Sequence, residues 1–201
     1  MTLNSIAFIQ QENVRLKNEN DALREEVNDL RGFVKILHDL NDASQGFTSD
    51  EELLPLLEDI LYKALSLLDA PDGSLALLDE ETNELVFTIV YGELGQDLAG
   101  FRIPADQGIA GWVLENARPT LVRDVRRDER FSQSVDEAFK FRTQSIAAAP
   151  LIGDQKRYGV IEALNQPGDQ PFSETDLALL GLLCRFAGEA LADIERQKPQ
   201  P

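Results

Sequence analysis

Residues 101–119 read FRIPADQGIAGWVLENARP. The apolar run 108–116 predicts a short helix, closed off before Pro119. It lies inside a long stretch, 92–143, that carries no strong strand pattern. The rest of that stretch offers only a brief apolar segment at 120–122 and a polar helix near 134–140. About fifty residues of short elements are unusual inside a compact domain, and such segments often serve as functional lids. Gly108 and Gly111 bracket the start of the helix, where free N–H groups can meet an anion. A tight turn with close packing is the plainer alternative.

Working outward, each side of this crossover reads as a hairpin followed or preceded by a helix. Residues 74–79 and 84–91 read as two strands around a polar turn, and 145–151 and 158–165 flank the loop 153–157. Upstream, 41–48 reads as a polar linker and Ser49 with Glu52 as a capping box. The next helix carries Leu53, Leu54, Leu57, Ile60, Leu61, Ala64 and Leu67 at helical spacing, and ends at Ala70-Pro71-Asp72-Gly73. Downstream, Ser173 starts a final helix with Glu174 and Asp176 in its first turn. Leu180, Leu183, Ala187, Leu191 and Ile194 form its buried face. Helix, hairpin, irregular crossover, hairpin, helix is an α+β order. It predicts a central antiparallel sheet with helices on one face and the crossover on the other, and a cavity between sheet and crossover.

Several runs resemble the GAF domain family: 101–119 itself, Val122-Arg-Asp-Val-Arg-Arg-Asp-Glu-Arg-Phe131, Thr143-Gln-Ser-Ile-Ala-Ala-Ala-Pro-Leu151, and Gly159-Val-Ile-Glu-Ala-Leu-Asn165 followed by Phe172 and Asp176. The resemblance covers about residues 45–196. It implies a PAS-like sensory or regulatory module that binds cyclic nucleotides, tetrapyrroles, amino acids, 2-oxo acids or no known ligand. Candidate ligand-binding residues are Gly108, Ile109 and Ala110 at the helix start, Phe131 and Phe139 in the crossover, and Arg142, Thr143 and Ser145 where the chain enters the sheet. Glu162, a carboxylate between apolar neighbours in mid-strand, is the last, with a solvent-facing position as its alternative. For Phe131, Phe139 and Trp112, core packing is the competing role.

The sharper sub-family readings fare worse. Members that bind cyclic nucleotides carry Asn-Lys, then Phe, three residues, then Asp-Glu. Here the match is Asn165-Gln166, Phe172, Asp176-Leu177, so the motif's Lys–Asp ion pair has no lysine. Bilin attachment needs a reactive cysteine, and Cys184 sits among Leu182, Leu183 and Phe186 as a small apolar residue would. The only histidine, His38, lies outside the domain. Reductases of this family use several cysteines, because a sulfenic acid needs a resolving thiol. Arg123, Arg126, Arg127 and Arg130 alternate with Asp124, Asp128 and Glu129, which reads as an ion-pair network. No metal or cofactor is expected, and no enzyme.

Residues 1–41 carry a different pattern. Ile9, Leu16, Leu23, Leu30 and Leu37 recur every seven residues, and Ile6, Asn13, Asn20, Val27 and Val34 lie three before each. These are the d and a rows of a coiled-coil seam. Leu at d with β-branched residues at a favours two parallel strands, and Asn13 and Asn20 fix the register. Glu12, Glu19 and Glu26 at g face Lys17, Arg24 and Arg31 at e in a parallel dimer.

The composition is that of a globular protein. Of 201 residues, 43% are hydrophobic and 27% charged, enough for one core. Nineteen basic against 36 acidic residues give a net charge of −17, which disfavours nucleic acid and anionic membrane as partners. No secretory leader and no apolar run of about twenty residues is present, and a cytoplasmic protein is expected. The expected organisation is a coiled-coil dimerisation helix at 1–41, a GAF-like sensor domain at 42–196 and a tail at 197–201. The expected function is a non-enzymatic, homodimeric small-molecule sensor that signals through its coiled coil and leaves the output to a separate protein. The alternatives are a ligand-free adaptor and, disfavoured above, a cyclic-nucleotide receptor.

Overall fold

The computed structural model describes residues 3–44, 50–93, 95–168 and 171–197. Residues 1–38 and 39–201 form two compact units.

Helix α1 runs Leu3–Ser44, 42 residues without a proline. It passes through 41–44, where a polar linker was expected: Asn41, Asp42, Ala43 and Ser44 include no proline or glycine to stop a helix already propagating. Ser49 and the tail 198–201 lie outside the described residues, as do the side chains of Ile6, Leu30, Leu37 and Glu52. The remaining heptad positions are open. Ile9, Leu16, Leu23, Val27 and Val34 are between 43% and 63% exposed, and Asn13 and Asn20 are exposed too. In the single chain Glu12 and Glu19 both bond Arg15 on their own helix, at 2.6 and 3.2 Å.

Helix α2 is Asp50–Leu67. Its buried stripe is Leu56, Leu57, Ile60, Leu61, Ala64 and Leu65, with Leu68 buried just past its end. Leu54, expected inside, is 48% exposed near the start of the helix, and Leu53 and Leu67 are only partly buried. The helix ends where Asp69 turns left-handed and Ala70 N–H donates to Leu65 C=O at 2.9 Å.

The strands are β1 (Asp72–Asp79), β2 (Glu84–Tyr91), β3 (Arg102–Pro104), β4 (Thr120–Val122), β5 (Ile146–Gly153) and β6 (Lys156–Leu164). They form one six-stranded antiparallel sheet in the order β3-β2-β1-β6-β5-β4. The crossover contributes α3 (Gly95–Leu98), α4 (Gly108–Asn116), a 3-10 turn (Val125–Arg127) and α5 (Ser134–Phe139). Two crossover elements were not expected. Strand β3 has three residues, ends in proline and pairs with β2 at the sheet edge; α3 has four residues. Neither is long enough to show a period.

The last helix, α6, is Glu174–Gln197. Ser173 caps it rather than beginning it. Asp176 N–H donates to Ser173 Oγ at 3.2 Å, and Asp176 Oδ2 accepts from Ser173 N–H at 2.7 Å, a reciprocal capping box.

Helices α2 and α6 cover one face of the sheet. There β5 and α6 meet through glycines: a Cβ at Gly153 would stand 1.9 Å from Gly188 O, and one at Gly188 2.2 Å from Ile152 O. The opposite face carries a second core. Ala76, Phe87, Ile146, Ala148 and Val160 point from the strands to meet Ile103, Ile109, Val113 and Phe141 of the crossover.

Candidate functional site

The strand pleat sets the floor of the site. Ser74 on β1, Glu162 on β6 and Ala148 on β5 are register partners in one row across the sheet. They alternate with Leu75, Ile161, Ala147 and Ala149, which are fully buried. The small neighbours Ser74 and Ala148 leave open the space above Glu162. A cavity of about 70 Å³ fills it, between the sheet and the crossover.

The crossover forms the roof. Gly108, Ile109 and Ala110 bring the start of α4 to the cavity, and Phe131, Val135 and Phe141 bring apolar side chains. Gly108 sits at φ +71°, a left-handed conformation that glycine adopts without strain, with no atom nearer than 3.6 Å to where a Cβ would be.

Two polar clamps hold the roof down. Gln107 Nε2 donates to Ser132 Oγ at 2.8 Å and to Ser134 Oγ at 2.7 Å, tying the α4 start to the loop before α5. Asp136 on α5 takes Thr143 N–H on Oδ2 at 2.9 Å and the Thr143 hydroxyl on Oδ1 at 2.6 Å, tying α5 to the chain entering β5. With Thr143 buried, both bonds are shielded from water.

Glu162 has no such partner. Among the described residues no cation and no hydrogen-bond donor meets its carboxyl. Desolvation alone pushes its pKa up from 4.5 to about 7. It sits half-buried, and its remaining exposure is to the cavity.

Six of the nine residues singled out from sequence line the cavity: Gly108, Ile109, Ala110, Phe131, Thr143 and Glu162. Three do not. Ser145 precedes Ile146, which faces the cavity, so the pleat turns Ser145 to the other face, where it is buried. Arg142 is exposed, and its backbone C=O accepts from Asn165 Nδ2 at 3.1 Å. Phe139 stacks edge-on against Phe101 with centroids 5.1 Å apart. The sequence reading missed Ser74, Phe87, Gln107, Ser134, Asp136 and Phe141. Of these Ser74 carried a signal, a small polar residue in an apolar strand.

The arginines of the crossover are engaged elsewhere. Arg130 lies over the Trp112 ring, 4.4 Å from its centroid, and bonds Asp128 at 2.6 Å. The Asp128 carboxylate holds the Arg130 pKa above its ordinary value, and Arg130 holds that of Asp128 below its own. Arg127 pairs with Asp124 at 3.1 Å. Cys184 is buried in α6, on the sheet face away from the cavity, and desolvation raises its thiol pKa well above the ordinary value.

The model of the GAF domain family matches residues 52–191. This chain belongs to the GAF domain family. GAF domains are small-molecule sensing and regulatory modules of signalling proteins, and the six-stranded antiparallel sheet with its helices is their fold. The chain is 23% identical over 180 residues to a dual 3',5'-cyclic-AMP and -GMP phosphodiesterase 11A of Takifugu rubripes, covering 85% of this chain and 19% of that protein. It thus spans about a fifth of that relative. Among solved structures, the GAF domain of a phosphoenolpyruvate-protein phosphotransferase from Coxiella burnetii matches with TM-score 0.69 at 18% identity, over 83% of this chain and 96% of that one. A free methionine-R-sulfoxide reductase from Neisseria meningitidis, solved in complex with its substrate, matches with TM-score 0.65 at 21% identity, over 82% and 90%. These likenesses carry the fold. Among the described residues, no helix is long and apolar enough to cross a membrane.

Proposed function

We propose that this GAF domain is a non-enzymatic sensor that binds a compact molecule in the cavity above Glu162, and that two copies join through α1. The observation that carries the reading is the cavity itself: apolar walls, a roof held by two polar clamps, and one carboxyl left without a partner inside. Apolar enclosure with a few convergent polar groups is the pattern of a small-molecule site.

The exposed heptad rows support the dimer. A row of Ile9, Leu16, Leu23, Val27 and Val34 open to water costs solvation that a second copy removes. The same partner offers Glu12 and Glu19 the e-position cations Lys17 and Arg24. A shift of register across the Asn13 and Asn20 layers is then the two-state element that carries a binding signal to a separate output protein. Cys184, desolvated and on the far face of the sheet, supports a role without thiol chemistry. Gln166 stands where the cyclic-nucleotide motif has lysine, and Asn165 spends its amide on Gln144 N–H and Arg142 C=O; both weigh against a cyclic-nucleotide ligand.

Sedimentation equilibrium of the full chain, with and without Leu16→Glu and Leu23→Glu, tests the dimer. The expected result is a dimer at micromolar concentration that falls to a monomer in the double variant. A monomeric parent chain contradicts the proposal.

A further inference from the structure

Resting on the sensor reading above, we infer that the molecule this cavity takes is a compact organic cation, a small apolar body bearing a protonated amine that pairs with Glu162.

The charge inventory of the cavity carries the inference. Two carboxylates line it, Glu162 from β6 and Asp136 from α5, and no lysine, arginine or histidine does so among the described residues. The remaining polar groups, Ser74, Gln107, Thr143 and the serines at 132 and 134, are neutral. The nearby arginines do not reach in: Arg130 is held by Asp128 and Trp112, and Arg142 is exposed. The start of α4 brings a partial positive charge of about half an elementary charge. That is less than one of the two carboxylates, so the balance stays negative once Glu162 is ionised.

The hydrogen-bond inventory agrees. Asp136 already accepts two bonds from Thr143, and Gln107 spends its amide N–H groups on the two serines. Glu162 and the Ser74 hydroxyl are both unspent among the described residues, and of the two Glu162 is the one that can carry a charge. A ligand donor placed over it satisfies a desolvated acceptor, and a cationic donor also restores the charge state that burial disfavours. An anionic ligand would add a third negative group to a low-dielectric space with no countercharge. The walls of Ile109, Phe131, Phe141, Ile146 and Leu164 fit an apolar body and not a sugar or a phosphate.

The coupling has a pH signature. The groups that face Glu162 are Ser74 and Ala148 beside it in the sheet and the roof from α4 and α5, whose one titratable member at the cavity is Asp136. Glu162 titrates at about 7, while an aliphatic amine stays protonated well above that. Amine binding therefore strengthens severalfold between pH 6 and pH 8.5, as Glu162 ionises.

Three fragments of matched shape test the inference on the full chain: isopentylamine, isopentanol and isovalerate, followed by methyl NMR of Ile109, Ile146 and Leu164. The expected result is that the amine shifts these methyls with at least tenfold higher affinity than either other fragment. The preference should collapse in Glu162→Gln, and in the parent chain it should grow from pH 6 to pH 8.5. The pH series needs no variant and stands if Glu162→Gln misfolds. Isovalerate or isopentanol binding as tightly as the amine overturns the inference and leaves the sensor reading intact. An amine preference that survives Glu162→Gln, or that does not grow with pH, also overturns it. If none of the three moves the methyls, the inference and the sensor reading fall together.

Discussion

Replacing Glu162 with glutamine should make the folded domain more stable at high pH and leave it nearly unchanged at low pH. Glutamine keeps the shape and removes the charge. In the unfolded chain Glu162 titrates near 4.5; in the folded domain burial holds it at about 7. Below about pH 4.5 both states carry the proton, and the group costs nothing. As pH rises from 4.5 to 7 the unfolded state releases its proton first, so stability is lost across that window and stays lost above it. At about 1.4 kcal/mol per pH unit, the full penalty is about 3 kcal/mol. For a chain of this size that corresponds to roughly 10 °C in melting temperature. The assay is urea unfolding of parent and variant at pH 5 and pH 8, read by Trp112 fluorescence and circular dichroism. Every other titrating group is common to both chains and cancels in the difference. The variant should gain about 2 to 3 kcal/mol relative to the parent on going from pH 5 to pH 8. A difference that does not change with pH would mean that Glu162 is solvated in the folded domain and carries no burial penalty.

The other predictions concern the frame around the cavity. Gly188→Ala forces a Cβ to within 2.2 Å of Ile152 O; it should push α6 off β5 and cost about 3 kcal/mol in urea unfolding. Asp136→Ala leaves the Thr143 N–H and hydroxyl unpaired in a buried place. It should cost about 2 kcal/mol and speed hydrogen exchange at the Thr143 amide. Replacing Asn13 and Asn20 together with valine should raise the melting temperature of the dimer, since buried amides at a positions cost stability; an unchanged melting temperature would count against the heptad register.

The strands and long helices were legible because their signals are local. β2 alternates, β1 and β6 are apolar runs that flank turn residues, α4 coincides with the run 108–116, and α6 shows a clean stripe from Leu180 to Ile194. The crossover was legible only as a gap in strand pattern, since β3 and α3 are too short to show a period. The site was half legible for a related reason. Glu162 announces itself as a carboxylate in an apolar strand. Ser145 was misplaced because β5 reads IAAAPLIG, apolar on both faces, and a strand without alternation does not say which parity faces the cavity. The Asp136–Thr143 clamp spans seven residues through a left-handed Lys140, a distance at which no sequence pattern signals a contact. The linker expected at 41–48 began too early because polar composition was read as the end of a helix; along 41–44, without proline or glycine, it was not.

In the proposed sensor, two joined copies of this chain each hold a small molecule over Glu162. Native mass spectrometry of the purified protein, followed by denaturing release, tests it most directly. The expected result is a dimer whose mass exceeds twice the chain mass by one small amine per protomer, released on unfolding. A bare monomer would contradict it.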